Sequence, residues 1–309
     1  MTTAAATTTT PTKVLKILMK ANWISSKGLC DLWNKLGDGN YRFTKDRLTL
    51  EMVWEPPFDY VVVVNSTSDA VPLEKTVYLV MEPVVHDPTW NRYLSSSFSS
   101  FKSVWCHRPG GNYNNNEWHL SKTRRELLLL DAPPKTQGDA VSAVLSAKYV
   151  DPGHILRIDL AQKAQHEMLW HSYGSNTRFR WKDYRGALPL YSKDEALFPY
   201  KYTFNAENTF LPGYYTEKLI DAILAECLCF YMGPPNIEEL VDPMAYVLLD
   251  MSDIPQSILA MKRAVQEDWY ALRLPSIKQA KARILEETGF FPRLHATLMV
   301  ASGATTTDR

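Results

Sequence analysis

Apolar and polar positions divide the chain into short apolar runs that end in polar residues, alternating with longer stretches of helical spacing. Residues 59–65 are apolar and β-branched almost throughout and predict a buried strand. Residues 76–81 predict a second, ending at Glu82-Pro83, and 13–19 and 48–54 predict two more. Leu29, Leu32, Trp33 and Leu36 fall at helical spacing within 25–36, and Gly37-Asp38-Gly39-Asn40 ends that helix. Residues 101–105 and 118–120 predict short strands around a polar loop at 107–116.

A break at 133–139, rich in Pro, Gly and polar residues, marks a domain boundary. Beyond it, 140–146 reads as a strand, Leu156, Leu160 and Ala164 share one helix face, and 170–174 reads as another strand. The stretch 201–250 then organises the second half. It predicts a strand over 201–209, a loop at Pro212-Gly213, a helix over 214–224 and a strand over 227–231. Gly233-Pro234-Pro235 closes that strand, a short helix opens at Asn236, and a strand follows at 246–250. This succession implies a parallel sheet covered by helices, whose ligands sit beyond the carboxyl ends of the strands. Residues 254–265 and 275–288 predict helices, and 294–300 a return toward the first domain. The expected domains are 13–135, 136–270 and a helical extension over 271–300, with low-complexity tails at 1–12 and 301–309.

Composition narrows the function. The 309 residues contain 34 Lys plus Arg and 34 Asp plus Glu, so no global field attracts nucleic acid or an anionic membrane. No apolar run approaches the roughly 20 residues that span a bilayer, and the Thr/Ala-rich start is not a signal peptide. A soluble, cytoplasmic protein is expected. Four cysteines (Cys30, Cys106, Cys227 and Cys229) in a chain of this length point to a reducing compartment, and their spacing is not that of a zinc site. Neither His107 with His119 nor His166 with His171 makes a metal pair by spacing. Gly-x-Ser-x-Gly, Walker and Gly-x-Gly-x-x-Gly motifs are absent from the sequence, so no other α/β enzyme class has a positive signal.

Two places carry candidate chemistry. The helix that opens near Thr216 presents N–H groups and a partial positive charge suited to phosphate, with Lys218 adding a full charge. Glu82 directly follows an apolar strand and therefore lies at a sheet's carboxyl edge.

The stretch 201–250 resembles the donor-binding segment of the family 10 glycosyltransferases, the α-1,3/4-fucosyltransferases. Lys201, Tyr202, Glu207, Asn208 and Thr209, then Tyr214, Thr216, Glu217, Lys218 and Leu219, then Gly233, Pro235, Pro243 and Val247 fit that pattern. Outside this stretch the match is looser. Glu82-Pro83 is similar in kind to a Glu that the family uses as general base, and Arg157 fits the place of an arginine that binds the donor diphosphate. Residues 170–174 resemble a family strand in which an Asp stands where this chain has His171, and His107 and Arg108 fall in a stretch that is aromatic and basic in the family.

The resemblance implies two facing Rossmann-like α/β domains of GT-B type, with the active site in the cleft between them. The absence of an Asp-x-Asp motif fits that type, which neutralises the diphosphate without a metal. It implies an inverting glycosyltransferase that moves a sugar from a nucleotide diphosphate to a glycan hydroxyl, including one carried on a glycoprotein. GDP-fucose is the family's donor, and a UDP-linked pentose such as UDP-xylose is the alternative. Glu82 would be the base. Arg157, Glu207, Asn208, Tyr215, Thr216, Glu217 and Lys218 would bind the nucleotide sugar. No cofactor is expected beyond the donor. A second reading is a catalytically silent relative that binds a nucleotide or glycan.

Overall fold

The structure, a computed structural model, describes residues 13–83, 98–107, 117–130, 133–175 and 178–301. The first half holds β1 (Lys13–Ala21), α1 (Ser26–Trp33), β2 (Arg42–Lys45), β3 (Leu48–Val53), β4 (Tyr60–Val64), β5 (Thr76–Leu79), β6 (Ser103–Trp105) and α2 (Arg124–Leu129). The second half holds β7 (Val141–Val144), α3 (Pro152–Ala164), β8 (Trp170–Tyr173), β9 (Tyr184–Gly186), α4 (Asp194–Leu197), β10 (Tyr202–Ala206), α5 (Glu217–Leu224), β11 (Leu228–Met232) and β12 (Tyr246–Leu248). Three helices follow: α6 (Ile254–Gln266), α7 (Trp269–Arg283) and α8 (Phe290–Ala301).

Among the described residues the strands form two six-stranded sheets. The first has the order β2-β3-β1-β4-β5-β6, parallel except for the hairpin strand β2. The second, β12-β11-β10-β7-β8-β9, is parallel throughout. Taken in chain order, its strands read 3-2-1-4-5-6, the order of dinucleotide-binding folds. Winding therefore reverses between β7 and β10, and the loops leaving these neighbours diverge and open a crevice.

The valines of β4 are buried on both faces, as a central parallel strand requires. Ser25 caps α1, accepting the Gly28 N–H at 3.1 Å. Thr123 and Glu126 form a reciprocal capping box on α2. One apolar core joins the two halves. α8 carries Phe290 to Trp33, at 4.7 Å between ring centroids, and stacks Phe291 on Phe43 at 5.7 Å. Its His295 Nε2 also lies 2.8 Å from the Lys45 carbonyl.

Three sequence expectations are corrected. Residues 118–120 are not a strand: the His119 N–H donates to Asp221 Oδ1 at 2.7 Å, across the two halves, instead of to a neighbouring strand. The helix expected from Pro275 begins six positions earlier, at Trp269, and contains Pro275. Tyr270 anchors the added turn, buried against Tyr202 at 6.2 Å. The wider turn Ile284–Thr288 then follows. The short helix at Asn236 is a single 3-10 turn, Ile237–Glu239. Arg108 and most of the 107–116 loop lie outside the described residues.

Candidate active site

A cavity of about 460 Å³ opens at the β7–β10 crossing. That size suits a ligand such as a nucleotide. Its floor is the carboxyl end of both strands, and one wall is the start of α3. Gly153, in the first turn of that helix, approaches β10 so closely that a Cβ there would lie 1.9 Å from the Glu207 carbonyl. Its N–H donates to the Asn208 carbonyl at 3.2 Å. Glycine at this point lets the helix start press on the strand end.

α3 also carries Arg157. Its guanidinium is buried, donating to Ser146 Oγ at 3.0 Å and to Asn208 Oδ1 at 3.4 Å. Its Nε has no hydrogen-bond partner among the described residues. Burial pulls the Arg157 pKa down while Glu207 and Glu217 oppose it. A guanidinium stays charged in such surroundings. This cation thus keeps an unsatisfied donor beside the cavity.

The other cation comes from α5. Lys218 Nζ donates to Thr216 Oγ1 at 2.9 Å and lies 3.4 Å from both Glu207 Oε2 and Glu217 Oε1. Burial works against its charge, but the two carboxylates outweigh it and raise the Lys218 pKa. Burial likewise disfavours the charged form of Glu217. The ammoniums of Lys218 and Lys193, with His119, overcome it and hold the carboxyl well below its usual range.

Four of the sequence-predicted residues line this cavity: Arg157, Asn208, Glu217 and Lys218. Glu207 does not. It is completely buried, with Oε1 accepting from the Thr216 N–H and the Tyr231 hydroxyl, each at 2.8 Å, and Oε2 accepting from the Thr216 hydroxyl at 2.7 Å. Its carboxylate therefore occupies the start of α5, where an incoming phosphate was expected, and fixes Thr216 and Lys218 from below. Tyr215 lines a separate cavity of about 120 Å³ with Ile220 and Arg283. The preceding Tyr214 is buried and does not line the donor cavity either; burial first, then the charges of Glu207, Glu82, Glu217 and Asp151, raise its hydroxyl pKa.

Glu82 follows β5 in the first sheet. Asn65, at φ 61°, accepts the Met81 and Glu82 N–H groups on its side-chain oxygen at 2.7 and 3.4 Å and shapes this turn. Glu82 is an exposed residue, yet the protein around it takes enough water from its carboxylate to disfavour the charge. That desolvation raises its pKa. Lys218 opposes the rise and Glu217 adds to it, so Glu82 lies within electrostatic reach of the α5 cluster.

Sequence reading missed His119, Lys193 and Asp221. Lys193 Nζ lies 2.7 Å from Asp221 Oδ2 and 3.4 Å from Glu217 Oε1. His119 sits between Glu117, at 3.4 Å, and Glu217, at 4.0 Å, with its ring edge-on to Tyr191. Burial lowers its pKa, but Glu117 and Glu217 prevail and leave it raised. These residues are separated by long stretches of chain, and no local spacing announces them. His107 contacts the Tyr214 ring at 5.5 Å and does not line the cavity.

No family model matches the sequence, and no curated protein matches it. Solved structures do match the fold. An α1,3-fucosyltransferase with GDP aligns at 16% identity over 93% of this chain and 94% of its own, with a TM-score of 0.55. The chain has the GT-B fold. An α-glucosyltransferase in complex with UDP aligns at 9% identity over 93% of this chain and 99% of its own, with a TM-score of 0.59. The HepE protein of Anabaena, in complex with UDP-glucose, aligns at 12% identity over 93% and 99%, with a TM-score of 0.55. Among the described residues no group of three His, Cys, Asp or Glu could hold a metal ion, and no helix is long and apolar enough to cross a membrane.

Proposed function

We propose that this protein is a nucleotide-sugar-dependent glycosyltransferase that inverts the anomeric centre, with a fucosyl donor as the first candidate. The observation that carries the reading is the convergence of Arg157 and Lys218, from two different helices, on one cavity at the switch point of the second sheet. In glycosyl transfer the acceptor oxygen attacks the anomeric carbon as the bond to the diphosphate breaks. Negative charge then grows on the departing nucleoside diphosphate. Arg157 and Lys218 are fixed before the reaction and sit where that charge would develop, the arrangement that lowers such a barrier most. Glu217, held ionised, accepts hydrogen bonds and suits the ribose hydroxyls. Asn208 adds a polar contact beside Arg157. Glu82, from the other sheet, receives the acceptor proton, and its raised pKa makes it a better base. A base on the face opposite the leaving group gives inversion.

The likeness to proteins solved with GDP, with UDP and with UDP-glucose leaves the donor base to experiment. Thermal shifts with GDP, UDP, GDP-fucose and UDP-xylose identify the donor, since a ligand that binds only the native state raises its melting temperature. Turnover then separates a transferase from a silent binder: incubation with the donor and a panel of glycans should release free nucleotide. Lys218→Ala should abolish that release while remaining folded. Normal release by Lys218→Ala would remove the reading.

A further inference from the structure

A second groove, of about 500 Å³, lies on the first sheet and shares no residue with the donor cavity. It is lined by Tyr41 and Trp54 together with Lys16, Arg42, Glu51 and Glu55, among others. Asn40 and Tyr41 have φ values of 49° and 59°, and the Arg42 N–H closes the turn on the Gly39 carbonyl at 3.0 Å. A tyrosine in the left-handed region is strained, on the order of 1–2 kcal/mol. The surroundings overdetermine it: the Tyr41 N–H donates to Asn34 Oδ1 at 2.7 Å, its carbonyl accepts from Met52 at 2.8 Å, and its hydroxyl donates to Asp31 at 2.9 Å. These bonds hold the ring edge-on to Trp54, 5.5 Å between centroids, with the Lys27 ammonium over both rings. Strain maintained at the wall of an open groove is characteristic of ligand clamps.

The polar side of the groove is balanced in charge. Arg42 holds Glu51 through Nε at 2.9 Å and Nη2 at 2.6 Å, while Lys16 and Glu55 add one charge of each sign. A balanced wall does not favour an anion or a cation. It offers donors and acceptors in fixed directions beside two aromatic rings, which fits a molecule with hydroxyls on its rim and C–H groups on its face. We propose that this groove is a binding site for a neutral pyranose within an oligosaccharide. β3 is three places from β5 in the sheet, roughly 14 Å at ordinary strand spacing, so the sugar held here is not the one that meets Glu82. Binding does not depend on the transfer reading. Only the assignment of this sugar to a distal part of the acceptor does.

The test is calorimetric titration of the full chain with lactose, cellobiose and chitobiose, and with a decaproline peptide as the other ligand suited to aromatic grooves. Saturable binding of at least one disaccharide is expected, with Kd on the order of 1 mM. Trp54→Ala should weaken it at least tenfold and leave nucleotide binding unchanged. Arg42→Ala, at an exposed position whose replacement costs little stability, should also weaken it and stands in if Trp54→Ala does not fold. Binding of none of the three sugars, equal binding by the folded variants, or saturation by the peptide alone would overturn the proposal. Loss of transfer with sugar binding intact would count against the transfer reading and leave this site standing.

Discussion

Lys193, on the wall of the donor cavity, forms an ion pair with Asp221, 2.7 Å away, whose side chain is 1% exposed. The same ammonium reaches Glu217, one turn earlier on α5, at 3.4 Å. Burial lowers the Lys193 pKa, but Asp221 and Glu217 outweigh it and raise it overall. Removing Lys193 leaves a buried carboxylate without its partner, a change that typically costs about 3–5 kcal/mol. Lys193→Met should therefore be strongly destabilised in urea. Adding Asp221→Asn should recover much of the loss, because the orphaned charge goes with it. Nucleotide affinity should stay reduced in the double variant, since Glu217 has lost a fixing cation. Recovery of both properties together would assign the pair to stability alone.

Gly153 tests how the helix meets the strand. A methyl group there would collide with backbone, the Glu207 carbonyl at 1.9 Å and the Asn208 carbonyl at 2.7 Å, and no flexible side-chain end can give way. Gly153→Ala should push the start of α3 outward and carry Arg157 with it. Overpacking of this kind costs about 1–3 kcal/mol. The expected result is a lower melting temperature together with nucleotide affinity at least tenfold weaker, read by denaturation and titration of the same preparation. A variant that lost stability and kept full affinity would show that Arg157 does not depend on this contact.

The two sheets were legible because their strands are short apolar runs with polar ends, and 59–65 and 76–81 need no tertiary information to be read. Lys218 was legible from its place at a helix start, whereas Arg157 and Glu217 were singled out through the family resemblance. What escaped was of three kinds. Lys193, Asp221 and His119 are distant in sequence, and only the fold brings them together. Gly153 follows Asp151-Pro152, so it reads as an ordinary turn residue until β10 is seen beside it. Glu207 ends an alternating strand with a charge, which suggests a ligand contact, whereas three hydrogen bonds and complete burial make it the support on which Thr216 and Lys218 rest.

His154 makes stability depend on pH. Its imidazole is 4% exposed, and burial first, then the neighbouring Arg157 guanidinium and Lys148, hold its pKa down to about 4 against the pull of Asp151 and Asn208. An unfolded histidine titrates near 6.5. Below that pH the unfolded chain takes up a proton that the native chain refuses until about 4. The contribution is intact above pH 6.5 and is lost on acidification, roughly 2 kcal/mol of it by pH 5. Urea unfolding at pH 7, 6 and 5 should show this fall, and His154→Gln should flatten it. Identical slopes in the two proteins would place the pH dependence elsewhere.

Glu82→Gln separates binding from chemistry. Glu82 does not line the donor cavity, so donor affinity by titration should be nearly unchanged in the variant. An amide cannot accept the acceptor proton, so kcat should fall about 100- to 10,000-fold, the usual contribution of a positioned base. The wild-type pH profile should carry the same signature. Desolvation raises the Glu82 pKa more than Lys218 lowers it, and Glu217 adds to the rise. The base must be ionised to act, so kcat should rise with pH through an acidic limb centred above the value near 4.3 of a free glutamate. In Glu82→Gln the residual rate should lose that limb. A variant that keeps both the rate and the limb would show that another group takes the proton, and His119, which lies between Glu117 and Glu217, would then be the next to change.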